Sequence, residues 1–139
     1  MEPSDTQKQA TGNRQQATTN TVRTPLRMGS DIAQRMIAFA SAIIRVARAM
    51  PKDPASRHIA MQVIRSSTSC GANYEEARAA ESRPDFIHKL GISLKEIRET
   101  CYWLALIHEA QLSSLTLDPI AREAIELGSI LGASIRTAR

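Results

Sequence analysis

Aromatic side chains are scarce in this 139-residue chain: two Phe, two Tyr and one Trp, 4% of the sequence. A core without aromatics must be filled by Ile, Leu, Met and Ala, which suits packed helices better than a β-sandwich. No Asn-Gly or Asp-Gly hairpin signal is present, β-branched runs are few, and the second half is rich in Ala, Glu, Arg and Leu. Long hydrophobic runs are absent too. The most apolar window, Met36 to Ile44, lies between Arg35 and Arg45, too short to span a bilayer. The amino-terminal stretch is polar and has no apolar signal core. Only two cysteines occur, Cys70 and Cys101. Both fall on apolar helix faces, where free thiols serve as small core residues. These features predict a soluble protein of a reducing, cytoplasmic compartment.

Charge is also limited in what it says. The net charge is +4, but residues 1–28 hold Lys8, Arg14, Arg23 and Arg27 against only Glu2 and Asp5. Half of the excess therefore belongs to that segment, and the remainder is nearly balanced, a weak basis for nucleic-acid binding. Residues 1–28 are rich in Gln, Thr, Asn and Ser with few large apolar groups. They cannot bury enough surface to offset chain entropy, so a disordered polar arm is expected there. Residues 29–139 are expected to form one domain.

What is present is helical periodicity. Ser30 or Asp31 caps a first helix, Ile32 to about Met50, whose apolar stripe is Ile32, Met36, Phe39, Ile43, Val46 and Met50. Pro51 and Pro54 make the turn. A second helix is predicted from near Ala55 to about Glu81. Ser82 caps a third, from Pro84 to about Gln111, with Phe86, Leu90, Ser93, Ile97, Cys101, Leu104 and His108 on its inner stripe. Asp118 and Pro119 open a fourth, with Ile120, Ala124, Leu127, Leu131 and Ile135 facing in. Four amphipathic helices joined by short connections predict an all-α, up-down-up-down antiparallel four-helix bundle.

The second helix departs from an ordinary apolar stripe. Its inward positions run Ile59, Val63, Ser66, Cys70, Asn73 and Ala77, a seam of hydroxyl, thiol and amide groups. Buried, such groups cost free energy unless hydrogen-bonded. Antiparallel packing brings Asn73 near Ser93 and Ile97, and Ser66 or Ser69 near the Glu96–Cys101 stretch, with Arg65 able to fork onto Glu99. Arg65, Ser66, Ser69, Asn73, Ser93, Glu96 and Glu99 are thus expected to form a register-fixing polar network.

The same residues carry a resemblance. Gln62, Arg65-Ser66-Ser67, Ser69, Asn73-Tyr74, Glu76-Ala77, the Asp85–Leu90 string DFIHKL, Lys95-Glu96, Glu99-Thr100 and Tyr102-Trp103-Leu104 resemble the bacterial four-helix bundle protein family. That family is also called the intervening-sequence protein family, after reading frames inserted in large-subunit ribosomal RNA genes. The resemblance implies a four-helix bundle assembling as a homo-oligomer, a ring-like pentamer, with an unsettled molecular function. The chain is also similar to accessory proteins of diversity-generating retroelements, which bind nucleic acid and a reverse transcriptase. Those relatives have a more basic surface than this nearly balanced domain.

Metal and catalytic readings find little. Di-iron bundles need a Glu with a His three residues later on two helices, and none of the helix glutamates has that His. Two carboxylates at Glu96 and Glu99 make a poor transition-metal site, so no metal or cofactor is expected. Arg83 and His88 match, at loose spacing, the Arg-then-His signature of bundle-shaped RNases of toxin and defence systems, with His as acid/base and Arg on phosphate charge. Pro84 replaces the usual polar residue after that Arg, and His88 already belongs to the DFIHKL string. A helix-terminal Arg and a surface His are the simpler reading.

Arg45, Arg48 and Lys52, with Arg35 further back, form a basic stripe. Favourable charge at a helix C-terminus accounts for it; as a function it offers candidate RNA or DNA contacts. Tyr102 and Trp103 are adjacent, so at most one faces the core and the other is a candidate interface anchor. Glu75 and Glu76 are candidate partners for the basic stripe across a heterologous contact. A non-enzymatic oligomeric scaffold or adaptor, accessory to a nucleoprotein, is the leading expectation. An RNase and a relic of a mobile element without a ligand are the alternatives.

Overall fold

A computed structural model describes residues 30–139; the arm expected over residues 1–28 lies outside the described residues. The described chain forms four α-helices: α1 (Asp31–Ala49), α2 (Pro54–Arg78), α3 (Arg83–Glu109) and α4 (Asp118–Ala138). Each packs against its sequence neighbours, α2 on α3 most extensively. α1 and α4 touch least. The diagonal pairs do not meet, so the helices stand in a square in chain order, antiparallel around it, as short connections require. No described helix is long and apolar enough to cross a membrane.

Local chemistry sets the helix ends. Ser30 Oγ accepts from the Ala33 N–H at 3.0 Å, satisfying one of the orphan donors of the first turn. Asp53 does the same for Ser56 at 3.1 Å and also accepts the Ser56 hydroxyl at 2.7 Å. That pair of bonds holds the Asp53 carboxyl below its ordinary range, the hydroxyl contributing most. Pro54 therefore begins α2 instead of only preceding it, because proline is favourable at N1 once Asp53 caps. Ser82 caps α3 as expected, accepting from Asp85 N–H at 3.2 Å. α2 stops at Arg78 rather than Glu81: Ala79 and Ala80 turn back on the carbonyls of residues 75–77.

The end of α3 follows a different rule. Gln111 has φ 54°, the left-handed region. Its N–H bonds the His108 carbonyl at 3.1 Å and the Leu112 N–H bonds that of Ile107 at 3.0 Å. This is a Schellman closure, with Leu112 folded onto the core. Glycine usually fills that position because a side chain there costs about 1–2 kcal/mol. Gln111→Gly should therefore raise stability by about 1 kcal/mol, read as a higher urea midpoint at unchanged slope.

The core lies along the bundle axis. Ile43, Val63, Leu90, Ile107, Leu127 and Leu131 have no exposed surface. The α1 and α4 stripes are placed as their periodicity predicts, Ile32 and Ile120 being half-buried at the helix starts. On α3 the inner face runs Leu90, Ser93, Ile97, Thr100, Leu104 and Ile107. Cys101 is half-buried and His108 exposed. The expected stripe drifted one residue past the true face, since successive steps of four overrun a 3.6-residue turn.

Candidate interaction surfaces

The polar seam lies inside the α2–α3 contact. Ser66 Oγ and Thr100 Oγ1 are 2.8 Å apart. The Thr100 hydroxyl also reaches the Glu96 carbonyl at 2.9 Å and the Ser66 hydroxyl the Val63 carbonyl at 3.4 Å, each within its own helix. One turn away, Ser93 Oγ donates to the Cys70 carbonyl at 2.7 Å. The Cys70 thiol in turn faces Ser93 Oγ at 3.4 Å. Burial pushes the Cys70 thiol up to about 11, so it remains protonated and unreactive at neutral pH. Every buried side-chain polar atom among the described residues has a hydrogen-bond partner. The seam is a closed packing device.

Two of its expected members, Asn73 and Ser69, bond within α2 instead. Asn73 does not reach Ser93 or Ile97; its amide turns back along α2 to the Ser69 carbonyl at 2.9 Å and hydroxyl at 3.2 Å. Ser69 is thereby engaged within α2 rather than with the Glu96–Cys101 stretch. Both are half-buried. Thr100 takes the place expected of Cys101, and Ser67 and Ser56 are buried polar groups not singled out by the stripe. Ser67 belongs to the run of small hydroxyl residues around Ser66, whereas Ser56 is buried in the first turn of α2 with its hydroxyl on the capping Asp53.

Outside the seam, Arg65 reaches Glu99 through Nη2 and Glu96 through Nη1, the latter at 3.4 Å. Trp103 donates its indole N–H to Glu99 Oε1 at 3.1 Å. The Arg65 guanidinium, helped by that indole, holds the Glu99 carboxyl below its ordinary range. Tyr102 and His58 meet Trp103 edge-on, at centroid distances of 4.9 and 6.3 Å. Trp103 is half-buried, while Tyr102 is 60% exposed.

The charged candidates divide sharply. Arg35 pairs with Glu123 at 2.8 Å and Glu126 at 3.1 Å, tying α1 to α4 where these helices touch least. The hydrogen bonds to Glu123 raise the Arg35 pKa, and Arg35 lowers that of Glu123. Arg35 is therefore neutralised, unlike the rest of the stripe. Glu75 pairs with Arg78, and Glu76 with Lys89. Arg45, Arg48 and Lys52 are exposed; Lys52 donates to the Arg48 carbonyl at 3.1 Å. Glu75 and Arg48 lie at opposite ends of one face, the α1–α2 face. No group of three or more His, Cys, Asp or Glu able to hold a metal occurs among the described residues. Arg83 Nε donates to the Ala138 carbonyl, closing α3 against the end of α4, and His88 stands exposed one turn further on.

The outer surface has hollows along three helix pairs, one of them between α1 and α4, lined by Ala38, Phe39, Ala42, Pro119 and Ile120 beside the Arg35–Glu123 pair. Between α1 and α2 a groove is lined by Ile37, Ala40, Ile44, Gly71 and Ala72, with Glu75 at its end. On the opposite side, between α3 and α4, two hollows adjoin at Cys101 and Ile125: one, past Ala105 and Ala121, is mainly apolar, and the other mixes Gly128 and Gly132 with Arg98, Ser129 and Arg136. Ile37 is 50% and Ile125 64% exposed.

The sequence model for the 23S rRNA-intervening sequence protein family matches residues 29–133, the whole bundle except its last turn. The chain belongs to this family. A crystal structure of a protein with unknown function from the S23 ribosomal protein family of Bacteroides thetaiotaomicron has a TM-score of 0.68 and 34% identity. The match covers 75% of this chain and 97% of that one. No curated protein sequence matches. The residues on which the intervening-sequence resemblance rests all lie on α2 and α3, the most extensively packed pair.

Proposed function

We propose that this intervening-sequence family member is a non-enzymatic, cytoplasmic homo-oligomeric scaffold, a ring of five subunits as the family resemblance implies, serving a nucleoprotein as an adaptor. The observation that carries the reading is a contrast. The interior closes on itself with every buried polar side chain engaged, while two opposite outer faces leave large apolar side chains in water. Exposed apolar grooves of that kind mark protein–protein contacts. Native mass spectrometry at micromolar concentration should give a multiple of the 15.3 kDa chain mass. A monomer under those conditions overturns the scaffold.

The nucleic-acid role rests on Arg45 and Lys52, exposed cations without an acidic partner among the described residues. RNA or DNA binding through them should weaken steeply with added salt; a flat salt dependence removes it. The RNase reading has less support, because the Arg83 guanidinium is engaged at the α4 terminus. RNA cleavage that persists unchanged in His88→Ala would eliminate that pair.

A further inference from the structure

Apart from Met1, the large apolar side chains before Ser30 are Val22, Leu26 and Met28, gathered in one short stretch, VRTPLRM. They alternate there. Val22, Thr24, Leu26 and Met28 take one side of an extended chain and Arg23, Pro25 and Arg27 the other, because successive side chains of extended backbone point opposite ways. Pro25 fixes its own φ and disfavours the helical region for Thr24, so the sequence predicts an extended segment here. Such a segment is an apolar strip backed by two arginines, with nothing to bury itself against within its own length.

The α1–α2 groove begins where this segment ends. Ser30 caps α1, and the groove opens at Ala33 and runs past Ile37 to Ile44. The helix rises about 17 Å over that distance, and extended chain spans about 20 Å from Met28 back to Val22. About two helix residues pass for each extended one. Counted from Met28 beside Ala33, Leu26 therefore comes level with the half-exposed Ile37, Thr24 with Ser41, and Val22 with the Ile44 end. Gly71 abuts Met36, which puts Gly71 and Ala72 at the Leu26 level and Thr68 at the Thr24 level. Apolar thus meets apolar, and hydroxyl meets hydroxyl. Glu75 stands at the end where the segment enters, beside Arg27. The α1–α4 hollow also adjoins α1, but Arg35 and the glutamates it binds span its entrance, and a segment would have to break those pairs to enter.

We propose that residues Val22–Met28 fold back at Gly29 and lie as a strap in the α1–α2 groove of their own chain, antiparallel to α1. Leu26 seats beside Ile37 over Gly71 and Ala72, Val22 covers Ile44, and Arg27 joins Arg78 on the Glu75 carboxylate. Gly29 makes the reversal, since glycine enters the left-handed backbone region without a Cβ clash. A partner of this groove must first displace the strap, so the α1–α2 face is a gated contact and the α3–α4 side an open one. The strap goes beyond the scaffold reading and does not depend on the subunit number.

Disulfide trapping in the full chain tests the strap. In a Cys101→Ser background, Leu26→Cys with Ala72→Cys should oxidise to an intramolecular disulfide in most chains, its two peptides linked by mass spectrometry and separated on reduction. Leu26→Cys with Ala42→Cys, in the α1–α4 hollow, should give no more than traces. A covalent dimer from the first pair places the segment on a neighbouring copy and overturns the proposal. Equal linkage in both pairs, the result for an unanchored tether, overturns it too, as does no linkage in protein with unchanged helical circular dichroism. A double-mutant cycle gives a second readout on surface positions that leave the core intact. Leu26→Ala and Ile37→Ala should each lower the folding equilibrium constant about fivefold, and together little more than either alone, rather than about 25-fold. Losses that simply multiply count against the contact.

Discussion

Replacing Ser93 with leucine should cost about 3 kcal/mol of folding stability, while alanine at the same position should cost about 1 kcal/mol. Ser93 has no exposed surface, and its hydroxyl lies 2.7 Å from the Cys70 carbonyl on the facing helix. Helices approach this closely only where side chains are small. Leucine brings added volume into a site without a void, so backbones must separate or rotamers strain. It also removes the oxygen that the Cys70 thiol faces. Alanine keeps the approach and forfeits only the net value of a hydrogen bond. Urea unfolding of the two variants measures the difference, with equal slopes required for a like-for-like comparison. Equal losses would show that the seam is held by its hydrogen bond alone and that close packing is not what it enforces.

Leu127→Ala should lose about 3 kcal/mol, within the range for a fully buried leucine whose surroundings collapse only partly. Leu127 is completely enclosed at the middle of α4. Ile125, two residues before it, points the other way and is mostly exposed. Its replacement by alanine should act through assembly: the unfolding midpoint should lose its dependence on protein concentration while the dilute-limit stability stays nearly constant. Midpoints measured across a hundredfold concentration range separate the two variants. A loss below about 1 kcal/mol for Leu127→Ala would show that the α4 core relaxes around the void.

Much of this architecture was legible in the residues. The apolar stripes of α1 and α4 repeat cleanly, and Ser30, Ser82 and the Asp118-Pro119 pair mark helix starts by chemistry that acts within one turn. Errors arose where the answer depended on rotation about a helix axis. Cys101 and Thr100 differ by one residue, and the periodicity of α3 tolerates either as an inner position. Only the facing Ser66 hydroxyl, with a hydrogen bond to make, selects Thr100. Asn73 was misplaced because its amide finds the Ser69 carbonyl and hydroxyl one turn back on its own helix. The Gln111 turn was hidden because glycine, the usual signal, is missing.

The polar candidates were separated by burial and partnership. Arg35 resembles Arg45 and Arg48 in sequence, yet α4 brings two glutamates to it and none to them. Arg83 and His88 share a helix start, but the Ala138 carbonyl at the end of α4 occupies the arginine. The outer grooves could not be seen in any one helix, since each is made by a pair.

By itself the sequence determined the helices, their order, their antiparallel arrangement and the family, because these follow from periodicity, caps and loop length. Those are properties of neighbouring residues. The partners inside the α2–α3 seam, the neutralisation of Arg35 and the two opposed apolar faces were decided only by tertiary structure. They depend on helix rotation, tilt and axial offset, quantities set jointly by all the packed side chains.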